Sequence, residues 1–348
     1  MCIRDRCWKP CPDSKESSDP ATQSPCPSPS PPTPSSTATW TSTGRSSGSS
    51  SGLSSGQAIS PANFNRARKL GEGAQGGVYL ASVRDASLIP GMPAQFALKE
   101  ASLSSLHACG ERHAALRELA VHAAVCGHRN VPELYGHWRW FRKVLVASEL
   151  LRGGDLDEAL SRGTGGLPRP VVNDVGVQVA RALAHMHANG VAHCDVKPAN
   201  TMFCEPMDRR GGNVVKVVDF GLATRFTTSG DGPVAVRANG GTYEYMSPEA
   251  LLNEPHDPRS ADIYSLGVML YELATGILPF PVDKEKMDDW RSHLRKRADA
   301  QLSWPPWARG SAAFKALVVR MLADDPSDRP SPSEVVGQLQ ADYPLDIR

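Results

Sequence analysis

The chain has 348 residues, 40% of them hydrophobic, and a formal net charge of +1, which is material for one large core or two smaller ones. So even a balance, with no stripe of lysine and arginine, argues against a nucleic-acid partner. No apolar run is long enough to cross a bilayer, and neither a secretory leader nor a lipid-attachment signal stands at the ends. The expected setting is therefore intracellular, cytoplasmic or nuclear, with the eight cysteines as reduced thiols, since none shows paired metal or disulfide spacing.

Met1-Cys2-Ile3-Arg4-Asp5-Arg6 reads as the translated end of a sequencing adapter, so the natural start is expected elsewhere. From Ala21 to Ser60, thirty of forty residues are Ser, Thr, Pro or Gly, too little apolar surface to repay the entropy of ordering. Residues 1–63 are therefore expected to form a disordered tail. Within it, Ser24-Pro25, Ser28-Pro29, Ser30-Pro31 and Thr33-Pro34 fit proline-directed phosphorylation, and the spaced prolines fit a polyproline-binding partner. A solvated spacer is the plainer reading.

Order is expected from Phe64. Leu70-Gly71-Glu72-Gly73-Ala74-Gln75-Gly76-Gly77-Val78 places a glycine-rich turn before an alternating strand. Alone, such glycines also fit a dinucleotide-binding loop or a plain turn, but the dinucleotide motif opens a helix, whereas this chain continues as a strand. Phe96-Ala97-Leu98-Lys99-Glu100 reads as a short strand ending in a cation, and Glu118 follows nineteen residues later. A helix is expected over Ser105–Val125, with Leu116, Leu119 and Ala120 on its packed side. Singly, Lys99 and Glu118 read as ordinary surface residues.

Lys143 to Leu151 reads as an apolar strand that breaks at Gly153-Gly154. Val172, Val175, Val179, Leu183 and Met186 recur at helical steps and predict one buried face, with Asn189-Gly190 as the stop. His185 and His187, at the end of that helix, read as surface or dipole partners. Next comes Val191 to Asn200. An Asp (Asp195), a Lys two residues on (Lys197) and an Asn five on (Asn200) suit phosphoryl transfer: a carboxylate for a hydroxyl, an ammonium for the moving phosphate, an amide oxygen for a metal. After an extra loop, Glu205 to Gly212, the strand Val214–Val218 leads into Asp219-Phe220-Gly221, a second hard oxygen ligand. Asp262 is expected to open a helix that buries Leu266, Leu270 and Leu273 and stops at Gly276.

Together these segments resemble the catalytic domain of eukaryotic protein kinases, over about four fifths of the chain, residues 64–343. The resemblance implies an α+β, two-lobed fold. A small, mainly antiparallel N-lobe with one main helix (about 64–149) is followed by a larger, mainly helical C-lobe (about 152–343) and a short tail, 344–348. It implies ATP with Mg2+, or Mn2+, as cofactors and protein Ser/Thr hydroxyls as substrates. Leu70, Gly71, Gly73, Gly76 and Lys99 would hold ATP, with Glu118 fixing Lys99. Val78, Ala97 and Met202 would sandwich the adenine, Glu149 and Leu151 would meet its edge, and Asp155 would sit near the ribose. Ser148 falls at the gatekeeper position. Asp195 and Lys197 would be catalytic, and Asn200 and Asp219 would bind the metal. Asp262 would hold the catalytic loop's backbone, and Arg329 would pair with Glu249 of Ser247-Pro248-Glu249. Lys197 and Gly241-Thr242 resemble serine/threonine kinases, not tyrosine kinases.

Departures carry information too. Cys194 stands where relatives usually have an Arg that pairs with an activation-loop phosphate, so phosphorylation at Thr227, Thr228 or Ser229 lacks one electrostatic partner. A carboxylate beside Cys194 raises a thiol's pKa, which favours an inert thiol over a redox switch. Ala199 replaces an acidic residue of basophilic relatives, so no strong demand for substrate Arg is expected. His122 stands where relatives place an aliphatic residue, and the spacing from Glu118 to His128 is one residue long; either the loop absorbs it or the helix register shifts. The alternative function is an inactive kinase-fold scaffold or allosteric regulator, although Lys99, Asp195 and Asp219, whose loss marks such proteins, are all present. The sequence carries no signal for oligomeric state, and residues 281–310 match no pattern that identifies a subfamily.

Overall fold

The computed structural model describes residues 59–343, apart from 74–75, 103–108, 164, 209–212, 227–234, 239, 281–293 and 295–301. The tail with its Ser-Pro sites, Thr227, Thr228, Ser229, the second half of the extra loop, most of 281–301 and the last five residues lie outside this set. Pro61–Asn63 forms a 3-10 turn capped by the Ser60 hydroxyl, and Phe64 after it is 1% exposed.

Five strands build the first sheet: β1 (Phe64–Gly73), β2 (Gly76–Val83), β3 (Phe96–Ser102), β4 (Leu134–Trp140) and β5 (Lys143–Ser148), antiparallel in the order β1-β2-β3-β5-β4. Strand alternation splits β3 between two faces. Phe96 and Leu98 join Phe64, Ala81, Leu145 and Ala147 in a core on one side. Ala97 and Lys99 face the other way, and Lys99 is held in register between Val78 and Val146.

Helix α1 (Cys109–Val125) lies against β3 and β5. Its packed side is the expected one only in part, with Leu119 packed against Ala101, Ala115 and Val144. Leu116 is 41% exposed and Ala120 is also exposed, while Ala115, Val121, His122 and Val125 are buried. Large apolar residues are so few that their placement misled: among the described side chains of the helix, alanine, valine and a histidine make most of its inner face, with Leu119 beside them.

The second part is helical. Around its core run α2 (Leu156–Ser161), α3 (Arg169–Ala188), α4 (Pro248–Leu251), α5 (Pro258–Thr275), α6 (Ala312–Met321) and α7 (Pro332–Asp342). Short strands β6 (Val191–Ala192) and β9 (Thr224–Arg225) pair antiparallel, as do β7 (Thr201–Phe203) and β8 (Val215–Val217). Residues 171–180 of α3 are buried on every side, not on one face, because α5, α7 and β8 all pack against it. Helix α5 begins four residues earlier than expected. Asp257 caps it by accepting from the Arg259 N–H and Pro258 takes the first helical position, so Asp262 falls in the second turn. Its stop is as expected, with Gly276 left-handed at φ 78° and a Cβ there 2.8 Å from Gly166 N.

Candidate active site

A cleft of about 370 Å³ opens between the sheet and the helical part. Leu70, Gly71, Val78, Ala97, Lys99, Glu118, Glu149, Leu151, Met202 and Asp219 of the expected set line it, with Ser148. Gly73 and Gly76 sit instead at the far end of the β1–β2 hairpin, where they pair with each other. Gly76 has φ 152°, and a Cβ on it would come 1.9 Å from Glu100 O, so only glycine fits. Asp155 is not in the lining. Its carboxylate caps α2, accepting from the Glu158 N–H at 2.7 Å.

On one wall the Lys99 ammonium is ion-paired with Glu118, so α1 and β3 are in the register that joins these two residues. Burial pushes the Glu118 carboxyl above its usual range, Lys99 opposes this, and Asp219 adds to it. His122 stands one turn on from Glu118. That ring is buried, lies 5.1 Å from the Phe220 ring, and places Nε2 2.8 Å from Pro132 O. Phe220 in turn meets the His193 ring at 5.8 Å. Burial lowers the His122 pKa. The neutral ring then carries its proton on Nε2, because Pro132 O can only accept.

The second group lies on the loop after β6. Lys197 Nζ is 2.8 Å from Asp195 Oδ2 and donates to Thr242 Oγ1 at 2.7 Å. The Thr242 hydroxyl donates to Asp195 Oδ1 at 2.9 Å, and its N–H does so at 3.1 Å. Asn200 Nδ2 donates to Asp195 Oδ2 at 2.8 Å and to Asp195 O at 2.9 Å. Burial works against the Asp195 charge, but Lys197 and Thr242 outweigh it and hold the carboxyl below its usual range. Asp195 is thus a fixed, ionised acceptor.

Two backbones at the site are left-handed without being glycine, Cys194 at φ 63° and Asp219 at φ 64°, a conformation that costs roughly 1–2 kcal/mol per residue. Asp262, 0% exposed, holds the first in place. Its carboxylate accepts from His193 N and Cys194 N, each at 2.8 Å, and meets His187 Nε2 at 2.8 Å. His187 is therefore a buried member of the loop's support, not a surface residue. His185 faces Val125 O at 2.9 Å and stacks on His128. Burial first, then Asp262 and Asp195, push the Cys194 thiol up to about 12. Away from this loop, Arg329 grips Glu249 bidentately at 2.7 and 2.9 Å.

Lys216 was not singled out in the sequence. It is buried on β8, 2.8 Å from Glu149 Oε2 and 3.1 Å from Val131 O. It draws the Glu149 side chain aside, and because the Glu149 N–H donates to Glu133 O at 2.9 Å, the Glu149 carbonyl is the backbone group left for a ligand. A cation followed by two valines before Asp219 was the available signal.

The donor set suits a hard divalent ion. Asn200 spends its amide nitrogen on Asp195, so its oxygen is the atom on offer, and Asp219 supplies a carboxylate. Among the described residues no cluster of three or more His, Cys, Asp or Glu is poised for a metal. One carboxylate and one amide oxygen fit an ion such as Mg2+ that shares its shell with water and substrate phosphates. Also among the described residues, no helix is long and apolar enough to cross a membrane.

The family model for the protein kinase domain matches residues 64–339. The serine/threonine-protein kinase pkn3 of Myxococcus xanthus is 40% identical over 201 residues, 57% of this chain and 36% of that protein. CBL-interacting serine/threonine-protein kinase 16 of Arabidopsis thaliana is 34% identical over 225 residues, 63% of this chain and 45% of that protein. Calcium-dependent protein kinase 15 of Oryza sativa subsp. japonica is 29% identical over 294 residues, 82% and 51% of the two chains. The chain thus spans about a third to a half of these relatives' lengths. With the match covering most of its residues, this chain belongs to the protein kinase domain family.

Proposed function

We propose that the chain is an ATP-dependent protein serine/threonine kinase whose domain occupies residues 64–343, working inside the cell after a tail of residues 1–63 and before a short tail, 344–348. One observation carries this reading: Lys99–Glu118 and Asp219 line one cleft, and the Asp195–Lys197–Thr242–Asn200 group is joined to the residue before Asp219, where Val218 N donates to Asn200 O at 2.9 Å. Leu70, Gly71, Val78, Ala97 and Met202 clasp the nucleotide's base and sugar. The backbone at Glu149 and Leu151 meets the adenine edge, and the Gly71–Gly76 turn with Lys99 holds the phosphates. Asn200 and Asp219 hold Mg2+ or Mn2+, which would neutralise charge on the transferring phosphoryl group. Asp195 accepts the hydrogen bond of a substrate Ser or Thr hydroxyl and aligns it, while Lys197 steadies the moving phosphate.

Activity is expected to need little activation-loop phosphorylation. Cys194 provides no guanidinium for a phosphate, and the flanks of 227–234 are tied without one. Phe226 N donates to Gly190 O at 2.8 Å, Val236 and His256 exchange two backbone hydrogen bonds of 2.9 Å, and Arg237 bonds Asn253 O. The test is transfer of labelled γ-phosphate to mixed Ser/Thr peptides by the wild type, Asp195→Ala, Asp219→Asn and a Thr227, Thr228, Ser229 triple alanine variant. Transfer lost in the first two and kept in the third is expected. Folded wild type that binds ATP but transfers nothing would turn the reading to a scaffold, and loss in the triple variant would refute phosphate independence.

A further inference from the structure

The β4–β5 connection runs Trp138-Arg139-Trp140-Phe141-Arg142-Lys143, three aromatic rings and three cations without an acid. Phe141 is 80% exposed, beyond any other large apolar side chain among the described residues. Its φ is 48°, a left-handed turn position where Gly or Asn is the unstrained choice. Strain of this kind in an exposed ring has no folding benefit to offset it and points to use of the ring. The Trp140 ring meets Phe141 edge-on, centroids 4.8 Å apart at 86°, so the two project as one unit. Lys143 is tied to Glu100, which also takes Arg66. Arg139 and Arg142 are exposed, and among the described residues no carboxylate pairs with them.

We propose that this hairpin tip is a membrane-docking site that seats Phe141 and Trp140 in the interface of a bilayer bearing anionic lipid headgroups, with Arg139 and Arg142 on the headgroup charges. Aromatic rings favour the headgroup level of a bilayer, and each nearby Arg or Lys strengthens binding to an anionic leaflet about fivefold. A convex tip fits a planar surface. Single-stranded nucleic acid asks instead for a charged groove with successive stacking platforms, and β4 and β5 here end in a turn. Five residue steps of β5 separate Lys143 from Ser148, roughly 17 Å at strand rise, so docking leaves the mouth of the cleft open. One tip gives reversible, salt-sensitive attachment, not anchoring.

The test is cosedimentation of the full chain with phosphatidylcholine vesicles, with and without phosphatidylserine, at low salt. Phe141→Asn suits φ 48° and removes the ring; Arg139→Gln with Arg142→Gln removes both unpaired charges. Binding is expected only with phosphatidylserine, weakened about tenfold by Phe141→Asn and about 25-fold by the charge pair. Thermal unfolding should not fall in either variant and should rise in Phe141→Asn as the backbone strain is relieved, while phosphate transfer to a soluble peptide should stay unchanged. Brominated lipid should quench emission in the wild type and less in Trp140→Phe. The proposal is overturned if the wild type ignores these vesicles. It also fails if the variants bind as well as the wild type, which would put the contact elsewhere. Variant-sensitive binding of a single-stranded oligonucleotide in place of vesicles would overturn it as well.

Discussion

Thr242→Val probes the site at its tightest junction. The hydroxyl it removes both accepts from Lys197 Nζ at 2.7 Å and donates to Asp195 Oδ1 at 2.9 Å. The methyl that replaces it keeps the volume and leaves the backbone donation at 3.1 Å intact. A hydrogen bond to a charged group is worth about 1.5–3 kcal/mol, so if one such bond is needed to hold Asp195 and Lys197 in transition-state geometry, kcat falls roughly 10- to 150-fold. The loss belongs in kcat and not in the KM for ATP, because Thr242 does not line the nucleotide cleft. Thr242→Ser should recover most of it. The same hydroxyl helps Lys197 hold the Asp195 carboxyl low, so the acid limb of the pH–rate profile should move to higher pH in the valine variant. A peptide-phosphorylation assay across pH reads both effects. Thr242→Val within threefold of wild type, with an unmoved acid limb, would refute the reasoning.

Arg329→Met should cost about 3–5 kcal/mol, since it leaves Glu249 buried without its partner; urea unfolding of the purified chain measures it. Burial opposes the Glu249 charge but Arg329 overrides it and lowers the pKa from 4.5. The stability from this pair is therefore full above about 4.5 and lost as pH falls through the lower folded value. His122 has the same sign at a different pH. Its folded pKa lies below 6.5, so the neutral ring's contribution is intact above 6.5 and drains as pH falls further. Melting curves from pH 7 to 5 should drop less steeply for His122→Leu than for wild type, and equal slopes would count against a buried neutral ring. Cys194, its pKa pushed up to about 12, should be alkylated by iodoacetamide far more slowly than Cys126 in the folded chain; peptide mass spectrometry decides.

Much of the site was legible because phosphoryl transfer needs few residue types at short spacing. Asp195, Lys197 and Asn200 lie within six residues, so a short stretch of backbone brings their side chains together. Lys99 and Glu118 were legible only as a pair, since each alone reads as surface. What escaped was set by long-range packing. Among its described side chains the inner face of α1 is mostly alanine, valine and histidine, so hydrophobic periodicity found Leu119 but also put Leu116 and Ala120 on the packed side. Lys216 and His187 look like ordinary polar residues until β8 meets the Glu149 segment and α3 meets α5. Asp155 has a further role that its setting also offers: directly after the Gly153-Gly154 pair and just ahead of α2, its Oδ1 caps that helix by accepting from the Glu158 N–H at 2.7 Å.

The catalytic loop and the activation segment depend on one another through backbone more than through charge. Asp262 spends both oxygens on the His193 and Cys194 amides, which fixes the strained turn that aims Asp195. Asp195 in turn spends Oδ1 on Thr242 at the far end of the activation segment, while β6 pairs with β9 at its near end. A guanidinium at position 194 would add a site for regulation by phosphate to this frame. A thiol adds none, and the frame is closed without it. Restoring the cation by Cys194→Arg should therefore leave unphosphorylated activity near wild type while making activity respond to phosphorylation of 227–229. A severe loss of unphosphorylated turnover in a folded Cys194→Arg variant would mean that the packing of the thiol, and not the backbone frame, holds the loop.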